Sequence, residues 1–207
     1  MEATCNALRA LVPVTDEDFD RVYADKVRRM SKVHWTPVSV ALRAAELLAP
    51  EPGMRILDVG SGVGKLCCIG ALATRSSWHG VERDTLLVAA ARETAISLAV
   101  NDRTRFMVGD MTKVDWKTFN AIYFYNPFEA ALFAPGLVHR PTDNTGRWTE
   151  FHDEVSRAED RLSEMPPGSR VVTYHGFGGQ MPASYHRASS EQIGSDQLDL
   201  WIKQPRP

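Results

Sequence analysis

At 207 residues, 43% hydrophobic and 24% charged, the chain is long enough for one domain with a full core, and its composition is neither fibrous nor disordered. A formal net charge of −2 gives no global attraction to polyanions, so charge does not favour a nucleic-acid partner. No apolar run approaches a bilayer span and the N-terminus lacks a signal-peptide layout, which predicts a cytoplasmic protein with no membrane partner; three cysteines, two of them adjacent at Cys67 and Cys68, make neither a disulfide framework nor a zinc-ligand spacing, so no metal is expected and the pair reads as small packing residues.

In chain order, residues 16–30 carry acids first and bases last, which complements a helix dipole and predicts an N-terminal helix. Its bases, Arg21, Lys26, Arg28 and Arg29, with Lys32 beyond, read as a solvated face. Residues 1–35 are taken as an N-terminal helical segment and 36–207 as the main domain. Thr36-Pro37 opens a helix at 38–48, with a cap, a proline at the first helical position and apolar residues at helical spacing, and Pro50-Glu51-Pro52-Gly53 ends it. Strands follow at 55–59, 78–82, 105–108, 121–125 and 170–175, with helices at 64–73, 85–98 and about 149–165. Residues 134–148 lack periodicity and read as a substrate lid or a surface insertion. The tail, strands at 185–189 and 198–203 separated by Gln192-Ile193-Gly194-Ser195, reads as an antiparallel pair on the sheet edge. The expected fold is therefore α/β: a mostly parallel seven-stranded sheet with helices on both faces and an antiparallel C-terminal hairpin.

The chemistry gathers at strand ends, where ligands lie in open α/β sheets. The first strand runs into Gly60-Ser61-Gly62-Val63-Gly64-Lys65. Glycines there permit positive φ and close approach of a ligand, and the amides that open the next helix are free donors. The dinucleotide fingerprint G-x-G-x-x-G would need a third glycine where Lys65 stands, which disfavours a nicotinamide oxidoreductase. Asp58-x-Gly60-x-Gly62-x-Gly64 instead resembles the loop of the class I S-adenosyl-L-methionine (SAM) methyltransferases. Glu82, about 20 residues past the loop, is placed to accept from both ribose hydroxyls, and Arg83 beside it reads as solvent-exposed. The resemblance implies SAM as cofactor, held by Asp58, Gly60, Ser61, Gly62, Gly64 and Glu82, with Asp110 accepting from the adenine amino group and the Met111 amide reading a ring nitrogen. Taken alone, Asp110 reads equally well as a turn cap.

The fourth strand ends in Asn126-Pro127-Phe128-Glu129. This resembles the (Asn/Asp)-Pro-Pro-(Tyr/Phe/Trp) signature of amino-methyltransferases acting on nucleobases and protein nitrogens, but lacks the second proline. A nitrogen reacts only with its lone pair in line with the methyl, so an acceptor oxygen such as that of Asn126 can orient it. Pro127 biases Asn126 toward an extended backbone, Phe128 offers an aromatic face, and Glu129 is a base or a helix-capping acid. The competing reading is a strand-ending turn over a core phenylalanine. Thr36-Pro37 resembles a feature of amino-methyltransferases near the methionine end of the cofactor, and Gly80-Val81-Glu82 with the glycine loop resembles the non-SET histone lysine methyltransferase core. His175, at the end of the fifth strand, lines an acceptor pocket or is a hydrogen-bonded structural histidine. The expectation is a SAM-dependent methyltransferase acting on a nitrogen of protein or nucleobase; the alternatives are small-molecule O-methylation and a non-catalytic SAM-binding subunit.

Overall fold

Apolar runs form strands where the sequence places them, and their alternation decides which core each side chain enters. The computed structural model describes residues 2–29, 35–128 and 144–205. Strands β1 (Arg55–Val59), β2 (Ser77–Glu82), β3 (Thr104–Val108), β4 (Ala121–Tyr125) and β5 (Arg170–Tyr174) pair in parallel, and β6 (Tyr185–Ile193) and β7 (Asp196–Lys203) form an antiparallel hairpin. The sheet order is β3-β2-β1-β4-β5-β7-β6, with β7 antiparallel to β5. The strand order reverses between β1 and β4, so the crevice beyond their carboxyl ends is where a ligand belongs.

Ile56, Tyr123, Val172 and Tyr174 join a core with helices α1 (Glu2–Arg9), α4 (Val38–Leu48), α5 (Lys65–Ala73) and α6 (Thr85–Ser97), while Leu57, Ile122, Phe124 and Val171 join a second core with α7 (Asn144–Glu164). Period-two alternation thus covers both faces of the sheet. Close approach on the first face depends on Gly70, where an added Cβ would lie 2.3 Å from the Trp78 indole.

Three expectations change. The single helix at 16–30 is two short ones, α2 (Asp16–Asp20) and α3 (Asp25–Arg28), because Ala24 is extended at ψ 147° and Tyr23 packs edge-on to Phe19 and Trp35, at 6.1 and 4.8 Å, its hydroxyl donating to the Val63 carbonyl. Residues 144–148, expected to be irregular, begin α7, while 129–143 lie outside the described residues. The tail hairpin is longer than expected: its strands reach Ile193 and Asp196, leaving Gly194, at φ +61°, and Ser195 as a two-residue turn. Among the described residues no helix is long and apolar enough to cross a membrane.

Candidate functional site

The chain leaves β1 through Gly60, Gly62 and Gly64, at φ +76°, +51° and +72°. The Gly60 and Ser61 amides both donate to the Val81 carbonyl, at 2.9 and 3.1 Å, which fastens the loop to β2. The three glycines serve different ends. A Cβ on Gly60 would lie 2.9 Å from Pro127 Cβ and one on Gly64 would lie 2.6 Å from the Phe106 ring, whereas one on Gly62 would meet nothing within 4 Å. The outer two satisfy packing; the middle one faces open space. Beside it Ser61 Oγ is buried with no hydrogen-bond partner among the described residues. It packs inward against Gly80 of β2, where an added Cβ would lie 2.4 Å from Oγ, so the part of the loop open to a ligand is the face of Gly62.

Glu82, at the end of β2, accepts from the Gly62 amide through Oε2 at 3.1 Å and from the Asp84 amide through Oε1 at 2.9 Å. Each carboxylate oxygen keeps a second lone pair, so the group can fix the loop and still accept from a diol. Under the loop, Asp58 is buried and accepts from Cys67 Sγ at 3.7 Å. Burial pushes its carboxyl up to about 7; the Cys67 thiol opposes that rise and the Glu82 charge adds to it.

Asp110, at the end of β3, caps the 3-10 turn Met111–Lys113 by accepting from the Thr112 amide at 2.8 Å, and Met111 is buried in the second core. Arg83 has a role that its exposure did not reveal. It is exposed, as expected, but it also bridges Asp110 to Glu154 of α7, and with Glu150, Asp153 and Arg157 these three line a cavity of about 450 Å3. A guanidinium between two carboxylates makes charge-assisted bonds that free solvation does not replace once Glu154 is buried.

Asn126, after β4, stands at φ +39° and its amide donates to the Gly176 carbonyl at 3.0 Å. The extended backbone expected from Pro127 is overridden: the chain reverses here, asparagine tolerates the left-handed region, and Pro127 is held against Gly60. Phe128 also differs from expectation. It is 4% exposed, its ring 6.5 Å from that of Phe124, so it offers no open face to an acceptor and packs the second core. Glu129 lies outside the described residues.

His175, after β5, is a second left-handed residue at φ +57°, stacked on Tyr125 at 5.4 Å with its Nδ1 paired to Asp196. Unfavourable backbone conformations concentrate at functional sites, and here two occur on adjacent strand ends.

Sequence reading missed Asp196 and also the anchor of the N-terminal segment. Lys65, 4% exposed, binds Asp16 and Asp20 at 2.6 Å each and lies over the Phe19 and Trp35 rings. Asp16 also accepts from the Val38 amide at 2.9 Å, which pins α2 to the starts of α4 and α5. The only signal was a lysine directly after Gly64. Thr36 Oγ1 lies 3.4 Å from the Tyr123 hydroxyl, beside the same crevice. No cluster of metal-ligating side chains occurs among the described residues.

A family model described as Protein-L-isoaspartate(D-aspartate) O-methyltransferase (PCMT) matches residues 10–129. A 23S rRNA (uracil(1939)-C(5))-methyltransferase of Acidithiobacillus ferrooxidans is 37% identical over 78 residues, 37% of this chain and 17% of that protein. A protein-L-isoaspartate O-methyltransferase of Thermococcus onnurineus is 36% identical over 76 residues, 37% of this chain and 33% of that protein. The chain therefore spans a third or less of the length of these two relatives. Among solved structures, an RNA methyltransferase from Salinibacter ruber in complex with S-adenosyl-L-homocysteine has the same fold, at TM-score 0.62 and 20% identity over 84% of this chain and 95% of that one.

Proposed function

The chain belongs to the protein-L-isoaspartate(D-aspartate) O-methyltransferase family, and on that premise we propose that it is a cytoplasmic SAM-dependent methyltransferase whose acceptor is a nitrogen, of a protein amine or a nucleobase. The observation that carries the reading is the glycine loop, where Gly62 opens to free space and Glu82 clamps the loop from β2. The open face of Gly62 seats the cofactor, with its polar end toward the amides that open α5. Glu82 accepts from its ribose, and Asp110 with the Met111 amide takes the adenine, Asp110 through the lone pairs that Thr112 and Arg83 leave over. Bound SAM supplies a methyl group on a positive sulfur. Asn126 orients the attacking nitrogen through its amide oxygen, Pro127 sets that residue against Gly60, and Phe128 anchors the turn from below. The RNA methyltransferase structure that shares the fold carries S-adenosyl-L-homocysteine, and the uracil methyltransferase relative, named for a C(5) position, supports a nucleobase as acceptor without bearing on nitrogen.

The family description and the Thermococcus relative favour a second reading, a carboxylate acceptor. Incubation with methyl-labelled SAM and separated protein and RNA pools distinguishes the two. A methyl ester loses its label in mild alkali, whereas an N-methyl group keeps it. Stable label supports the nitrogen reading, alkali-labile label replaces it with the carboxylate one, and no transfer to either pool removes both.

A further inference from the structure

We propose that His175 is the base that takes the proton of the acceptor, with Asp196 as its positioning residue, so that the acceptor is a proton-bearing nucleophile, the N–H of the reading above, and not a carboxylate. The inference rests on the methyltransferase reading and narrows its substrate class.

The geometry is that of an aimed imidazole. β7 inserts beside β5, and this brings Asp196, at the start of β7, to the residue that follows Tyr174. Its carboxylate binds His175 Nδ1. The neutral ring then carries its proton on Nδ1 and leaves the Nε2 lone pair available. Two aromatic rings fix the plane: Tyr125 stacks on the imidazole at 5.4 Å and 17°, and Tyr174 meets it edge-on at 4.9 Å. Among the described residues the charged and titratable groups facing the ring are Asp196, Tyr125 and Tyr174, and the Tyr174 hydroxyl is committed to the Ile193 carbonyl at 2.9 Å. The side chain remains 35% exposed, open enough for a ligand to reach it. The next residue, Gly176, accepts from the Asn126 amide at 3.0 Å, so base and orienting residue sit on adjacent strand ends tied by a backbone bond.

In the transfer, the acceptor nitrogen forms the new bond to the methyl carbon, the carbon–sulfur bond breaks with its electron pair going to sulfur to give S-adenosylhomocysteine, and the proton on that nitrogen passes to His175 Nε2 and then to water. A carboxylate is already deprotonated at neutral pH and has no use for this pair.

The test begins with full-length protein labelled with nitrogen-15 in histidine. Long-range proton–nitrogen spectra above neutral pH should show His175 protonated at Nδ1 and bare at Nε2, and Asp196→Asn should abolish that preference. His175→Gly allows the left-handed backbone and should lower methyl transfer from labelled SAM to the protein or RNA pool that takes stable label by about 10²–10⁴-fold, with SAM affinity by calorimetry unchanged and the rate partly restored by added imidazole. A purely structural histidine would give no such rescue. A proton on Nε2 in the wild type, or wild-type transfer by His175→Gly, overturns the proposal. If wild-type protein does not bind SAM, the methyltransferase reading fails, and calorimetry reports that separately from the tautomer.

Discussion

Asp58→Asn tests the electrostatics under the glycine loop. In the folded chain burial raises the Asp58 carboxyl to about 7 from an ordinary value of 3.8. At roughly 1.36 kcal/mol for each tenfold change, that displacement corresponds to about 4 kcal/mol. The sign follows from proton counting. Below the unfolded value both states hold the proton and nothing depends on pH. Between the two values the unfolded chain has lost the proton and the folded chain keeps it, so stability falls as pH rises, and above about 7 the loss is complete. Asparagine cannot ionise, so the variant escapes this penalty whatever fixed cost its amide carries. Denaturant unfolding of both proteins, followed from about pH 4 to 8, should show the variant gaining about 4 kcal/mol on the wild type across that range, most of it before pH 7. A difference between the two proteins that stays constant with pH would refute a buried, mostly protonated Asp58.

Phe128→Ala should cost about 3–5 kcal/mol of stability in denaturant unfolding, since the ring is 4% exposed in the second core; a stable variant whose only defect is a raised acceptor KM would return Phe128 to the acceptor site. Lys65→Met should destabilise by about 3–5 kcal/mol, because it leaves the buried Asp20 without its ion pair, and adding Asp20→Asn should recover part of that loss; an additive double variant would mean that the pair contributes nothing. Asn126→Ala should bind SAM as the wild type does while single-turnover transfer falls by about 10²–10³-fold, and an unchanged rate would reduce the motif to a turn.

The sheet was legible because its strands are short apolar runs between turn residues, and all of β1 to β5 fall within a residue of the positions read from pattern. Helices α4, α5 and α6 on the first face carry the same signal. Less legible was anything decided by partners far apart in the chain. Residues 16–30 have the charge order of one helix, but Asp16 and Asp20 are claimed by Lys65 and Val38, and the chain bends after them. Residues 2–9 look merely polar, and only Cys5 and Leu8, one turn apart, mark the face that enters the core. At the site, the glycine spacing and the strand-end acids Glu82 and Asp110 could be read directly. That Arg83 would join Asp110 to Glu154, or that Asp196 would reach His175, depended on sheet order and on the packing of α7, which single-sequence pattern does not encode.

The most direct measurement is a calorimetric titration of the purified protein with SAM, and separately with NAD, repeated on Glu82→Ala. The account predicts one SAM site, no NAD binding, and a loss of roughly 1–3 kcal/mol of SAM affinity in the variant. Binding of NAD but not SAM, or SAM affinity indifferent to Glu82, would contradict it.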